Sequence, residues 1–210
     1  MKRISFLFLA IIASALVSFI GKEISKGETT LKVDTQASKL VWTGKKFTGQ
    51  HTGNIALTSG NLIVTDGKLK GGTFEIDTRT ITVTDITDSE QNAKLVKHLK
   101  GDDFFGVEKF PKATLTITSA TPKGGDAYDL SGKLTIKGVT NTVNFPAVVK
   151  IEKDKATATA KIVVNRTKYD IKYGSKSFFP NIGDKFIYDD FELDVNIVAA
   201  GQSTATAKAK

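Results

Sequence analysis

The chain has 210 residues, 40% hydrophobic and 25% charged, which suits one globular domain. It has no cysteine, so disulfides, thiolate catalysis, Cys-ligated metals and an acylated lipoprotein N-terminus are excluded. The formal charge of +8 comes mostly from dispersed lysines, with no Arg cluster or basic stripe interleaved with aromatics; it reads as a solvated surface that happens to be basic, with modest attraction to anionic lipid or an anionic head group as the alternative, and not as a nucleic-acid site.

Residues 1–21 have their own chemistry. Lys2 and Arg3 precede an apolar run from Ile4 to Ile20, the layout of a secretory signal. Ala13-Ser14-Ala15 offers a small-x-small cleavage site, and a cut nearer Gly21 also fits. The rival reading is an uncleaved anchor, for which the run lies near the lower length limit of a bilayer span. Either way the folded part is expected in the periplasm or secreted.

From Thr29 the chain reads as strand after strand. Leu40–Thr43 is short and holds the only Trp, and residues 44–53 read as a Gly-rich bend. Ile55 and Leu57 form a brief strand that Ser59-Gly60 turns, and Leu62 and Val64 alternate with Ile63 and Thr65. Asp66-Gly67 is a hairpin signal. Gly71-Gly72 suggests a bulge or sharp bend. Phe74 and Ile76 continue that strand, and Thr80–Thr84 is the next extended run.

One convincing helix follows. Asp88 caps it, with Gln91 completing a capping-box pattern, and Leu95 and Leu99 share a face. Gly101 supplies the left-handed residue that ends many helices. Phe104 and Phe105 come next, and Pro111 stops helical continuation. This segment is expected to close one end of the β structure.

Beyond Pro111 the period is two. Ala113, Leu115 and Ile117 point one way and Thr114, Thr116 and Thr118 the other. A Gly124-Gly125-Asp126 turn leads to Tyr128, Leu130, Gly132, Leu134 and Ile136 on one face, broken at Gly138. Val143 to Ile151 alternate, Lys153-Asp154-Lys155 turns, and Ala158, Ala160, Ile162 and Val164 continue. A looser segment, Tyr169 to Asp184, precedes a last strand carrying Phe191, Leu193, Val195 and Ile197. Residues 201–210 form a polar tail without order signals.

The fold class is all-β. Hairpin turns at regular spacing mean an antiparallel sandwich or barrel, and strands this long favour a barrel, which has no free edges. An eight-stranded barrel is just wide enough to be filled by side chains or to hold one slim ligand. Gly132, Ala147, Ala158 and Ala160 on the inward phase hint at room, although small residues also pack well in filled barrels.

DDFFGVEKFPKATLTITS (102–119) resembles one signature of the YceI-like family of lipocalin-like, isoprenoid-binding proteins, and LSGKLTIKGVTNTVNFP (130–146) matches a second. Residues 33–44, 71–81 and 165–174 also match, so the likeness spans nearly the whole exported part. It implies an extended eight-stranded antiparallel lipocalin-like barrel over residues 29–199, with a short helix near one end and a disordered tail over 200–210. It also implies a hydrophobic tunnel for a long-chain isoprenoid, quinone or fatty amphiphile. The sequence departs from the family at a displaced histidine, His51, and in how its helix begins, DSEQNAKLVKHLK.

Phe104 and Phe105 are the first candidates to line such a tunnel. Trp42, Phe74, Leu115, Leu134, Phe145 and Ile162 join them by phase and apolarity, with ordinary core packing as the alternative for each. Arg166 ends an alternating strand beside Asn165 and before Tyr169, the remaining candidate. Its guanidinium suits a phosphate or quinone head at the mouth, although a surface or inter-strand ion pair is the favoured alternative. His51 and His98, the only histidines, form no metal pattern, and His98 reads as exposed on its helix. No nucleophile elbow, Walker loop or GxGxxG occurs, and adjacent acids on a strand point apart, so an enzyme and a cofactor are not expected. A carrier or storage protein is the first reading. A packed stress-response or interaction module is the second and a lipid hydrolase or isomerase the weakest. Transient membrane contact and a homodimer stay open.

Overall fold

A computed structural model describes residues 27–201. The expected signal segment, 1–21, and residues 202–210 of the expected tail lie outside the described residues, whereas Ala200 and Gly201, expected in that tail, are still strand, pairing with Lys32 and Leu31.

Nine strand segments form one sheet. They are β1 (Glu28–Val33), β2 (Lys39–Lys46), β3 (Gly49–Thr65), β4 (Lys68–Asp77), β5 (Lys112–Gly124), β6 (Ala127–Ile136), β7 (Val139–Glu152), β8 (Lys155–Asn165) and β9 (Ile187–Gly201). Helix α1 (Ser89–Lys100) lies between β4 and β5. β1 and β2 both pair with β3 and with β9, end to end, so they fill a single position in the wall. Eight positions then close an antiparallel up-and-down barrel in sequence order. The break between β1 and β2 is stitched down. Asp34 Oδ1 accepts from Gln36 N and Ala37 N at 3.0 Å, and Val198 N donates to Ser38 Oγ at 3.0 Å.

The two-residue period does what it promises. Ala113, Leu115 and Ile117, then Leu130, Leu134 and Ile136, are buried inward, while the threonines between them face out. Asp66 (φ 51°) and Gly67 (φ 71°) form the expected β3–β4 hairpin, and Lys137 (φ 50°) with Gly138 (φ 75°) forms another. A register shift between Ile63 and Val64 falls opposite Gly71, where a bulge is expected.

The hairpins β3–β4, β5–β6 and β7–β8 share one end of the barrel. The other end, the mouth, carries the β2–β3 and β6–β7 hairpins and two long connections, 78–111 with α1 and 166–186. Two ladders are partial. β7–β8 pairs only from Ala147↔Ala160 to Glu152↔Lys155, and β4–β5 only from Gly72↔Ile117 to Asp77↔Lys112.

Four local expectations are corrected. Ser59-Gly60 is not a turn; β3 runs straight through it, with a bulge between Leu57 and Ser59 opposite β4. The bend expected over 44–53 shrinks to Phe47-Thr48, because Gly44↔His51 and Trp42↔Gly53 are laddered. Thr80–Thr84 makes no ladder strand. It runs beside β3, where the Thr80 and Thr82 hydroxyls accept from Ala56 N (2.9 Å) and Asn54 N (3.2 Å) in place of backbone carbonyls. The helix is capped as expected, Asp88 Oδ1 accepting from Gln91 N at 2.9 Å. Gly101, however, is at φ −72°; the left-handed glycine is Gly106, at φ 53°.

Candidate functional site

The barrel interior is not filled from end to end. Two adjoining compartments run along it, sharing Leu40, Ile76, Leu134 and Leu193 as a common neck. Cavity volumes, traced by the centre of a water-sized sphere, are about 70 Å³ for the inner and 110 Å³ for the outer. One water occupies roughly 10–15 Å³ on that measure. Each compartment therefore exceeds a packing void several-fold while staying narrow.

The inner compartment is lined by Phe74, Leu115, Leu134, Phe145 and Ile162 among the sequence candidates, and Thr159 is its single polar lining residue. Ala147, Ala158 and Ala160 also face it, so three of the four small residues do leave room. Gly132 does not. A β-carbon there would lie 2.9 Å from both Leu115 Cδ1 and Thr116 O, so the glycine lets neighbours close in.

The outer compartment lies at the mouth and takes Trp42, Phe104, Phe105 and Arg166 from the candidates. The connection carrying α1 covers it, through Leu99, Phe104 and Phe105. Trp42 is oriented by its indole N–H, which donates to Thr82 O at 3.0 Å. Phe104 is held by ring contacts to His98 at 4.9 Å and Tyr173 at 5.6 Å. His98 is accordingly half-buried between those rings, not on an open face. Tyr169 is the candidate that reaches neither compartment. It is 1% exposed, its hydroxyl finds no partner among the described residues, and burial pushes that hydroxyl above its ordinary range.

Arg166 is 4% exposed and has become a backbone clamp. Nε donates to Tyr188 O at 3.0 Å and Nη2 to Ile187 O at 2.9 Å. Nη1 donates to Ile171 O at 2.9 Å and Tyr173 O at 2.8 Å. Its remaining N–H points toward Asp189, 3.7 Å away. Burial pulls the guanidinium below its ordinary range, and the Asp189 carboxylate opposes that. Two of the four carbonyls come from the 166–186 connection and two from the start of β9, so Arg166 ties that connection to the barrel wall and fixes the shape of the mouth.

Leu40, Ile76 and Leu193, the neck partners of Leu134, share the inward phase of their strands and were legible by that signal. Ile187 and Tyr188 also line the outer compartment, but they follow the irregular loop, where no periodicity marks them. No group of His, Asp or Glu among the described residues could hold a metal ion, and no described helix is long and apolar enough to cross a membrane.

A family model for the YceI-like domain matches residues 31–199. The chain belongs to the YceI-like family. Protein YceI of Salmonella arizonae is 41% identical over 83 residues, 36% of this chain and 43% of that protein, so the match spans under half of the relative's length. The YceI-like barrel also resembles solved structures. BcnA of Burkholderia cenocepacia has a TM-score of 0.65 at 22% identity, covering 80% of this chain and 99% of that one. A polyisoprenoid binding domain from Saccharophagus degradans has a TM-score of 0.62 at 17% identity, covering 82% and 99%. At such identities the likeness establishes the shared barrel.

Proposed function

We propose that this YceI-like barrel binds a long-chain isoprenoid, or a similarly slim quinone or fatty amphiphile, lengthwise through its two compartments. It carries or stores that guest in the periplasm or outside the cell. The observation that carries the reading is the inner compartment, a narrow hollow whose lining is apolar but for Thr159. A greasy hollow of this shape rewards length and penalises width, because each methylene-sized group removed from water is worth about 0.8 kcal/mol. Four or five isoprene units would thus reach roughly micromolar binding after ordering costs. The polyisoprenoid-binding neighbour supports the same ligand class.

The head group would stay at the mouth. Arg166 is not its partner, because four of its donors are spent on carbonyl oxygens. This is a binding role, not a catalytic one. Gentle purification, solvent extraction and mass spectrometry test it: a long-chain lipid or quinone is expected, and extracts from several hosts that match the blank overturn it. Phe105→Trp supplies a second readout, since a Trp lining the outer compartment should change its emission when lipid is added.

A further inference from the structure

We infer that the rim of the mouth is a docking surface for a bilayer containing anionic phospholipid. Phe47, Tyr173, Phe178, Phe179 and Tyr188 are each 46–53% exposed, and all come from connections at the mouth end or the first turn of β9. Two of them are linked through a third ring, and Phe178 and Phe179 follow on the same 166–186 connection. Phe186 touches Phe47 at 5.6 Å and Tyr188 at 5.1 Å between ring centroids. Arg166 holds the patch in place by binding the carbonyls of Tyr173 and Tyr188. Half-exposed aromatics gathered on one rim mark an interaction surface.

Two observations select the occupant. Lysine ammonium groups stand among the rings, Lys176 Nζ 4.9 Å from the centroid of Phe186 and Lys172 Nζ 5.1 Å from that of Phe178. Rings with adjoining cations suit the headgroup zone, where anionic phosphates lie beside acyl chains. On these connections Lys46, Lys176 and Lys185 have no acid partner among the described residues. Asp170 is bound to Lys172 at 2.7 Å and Asp189 faces Arg166 at 3.7 Å, so on the aromatic side of the rim Asp184 and Asp190 offset them, while further acids such as Asp103 and Glu108 stand on the 78–111 connection. The whole chain carries +8, of which Lys2 and Arg3 in the expected signal segment contribute two. Secondly, the patch is continuous with the hollow, because Tyr188 is both half-exposed on the rim and a lining residue of the outer compartment. Resting on the lipid-binding reading above, docking lets a water-insoluble guest pass between bilayer and barrel without crossing solvent.

The test uses the exported chain and vesicles of phosphatidylcholine, with and without phosphatidylglycerol, read by co-sedimentation. Occupancy of the hollow is measured separately with cis-parinaric acid. The protein should bind the anionic vesicles, more weakly at high salt. Phe178→Ser with Phe179→Ser, and separately Lys172→Glu with Lys176→Glu, should each weaken that binding about tenfold or more and leave parinaric acid affinity unchanged. No binding to anionic vesicles at low salt, or variants that bind like the parent, overturns docking. So does a dimer that the two Phe→Ser changes dissolve, if vesicle binding is absent, because the rim is then a self-association face. Vesicle binding without parinaric acid binding upholds docking and instead refutes the lipid-carrier reading.

Discussion

The α-carbon of Gly53 lies so close against the carbonyl oxygen of Thr82 that no β-carbon fits between them. The same carbonyl accepts the indole N–H of Trp42, the residue paired with Gly53 across the β2–β3 ladder. Gly53→Ala must therefore push the 80–85 segment off the barrel wall or break the indole bond. The expected cost is about 1–3 kcal/mol, near the upper end because the obstacle is backbone. Urea unfolding followed by fluorescence of Trp42, the single tryptophan, checks both the loss and the change around the ring.

Removing the Arg166 guanidinium leaves four carbonyl oxygens without their donor. Arg166→Met should cost about 3–5 kcal/mol, as expected when one partner of a buried polar network is removed. Arg166→Lys should recover only part, since an ammonium offers three donors and no planar fork. Denaturant midpoints of the parent and the two variants decide this; equal midpoints for the parent and Arg166→Met would show that the clamp contributes nothing.

Ala147 and Ala160 face each other across the β7–β8 ladder and both line the inner compartment. Replacing both with leucine fills space with side chain that a guest would otherwise occupy. Parinaric acid affinity should drop about tenfold, with any overpacking cost held to about 1–3 kcal/mol. An unchanged affinity in the folded variant would put the guest elsewhere.

Asp85 ties the 80–85 segment to β3 by accepting from Thr52 N at 3.0 Å and meeting His51 Nδ1 at 2.9 Å. Burial works against its charged form, but those two partners outweigh it and hold the carboxyl below its ordinary 3.8. A depressed folded value means stabilisation that is present above 3.8 and lost as pH falls through the folded value. The melting-temperature gap between the parent and Asp85→Asn should therefore be open at neutral pH and close as the pH falls below 3.8 and through the folded value. A gap that stays constant down the acid range would remove Asp85 from the account.

Much of this was legible in the sequence because a closed barrel reads out as alternation. β5 to β9 could be phased residue by residue, and Asp66-Gly67 announced its hairpin through the positive φ such turns demand. Thr80–Thr84 looked like a strand because threonine favours extended backbone. Composition could not show that its hydroxyls would replace the carbonyls of a ladder. Gly132 and Ala147 look alike as small inward residues, yet one invites neighbours in and the other faces open space; only packing across the barrel separates them. The clamp of Arg166 was hidden for a related reason. Its partners are backbone carbonyls of residues 171–188, which have no letter in a sequence. The exposed aromatics lie in irregular connections, where no period distinguishes a rim from a core.

The two partial ladders set the mechanical character of the barrel. Beyond Ala147↔Ala160 toward the mouth, and beyond Gly72↔Ile117 toward the far end, neighbouring staves are not hooped together by main-chain bonds. At those two places the wall is held by something other than ladder pairing, so opening it there breaks no rung between those strands.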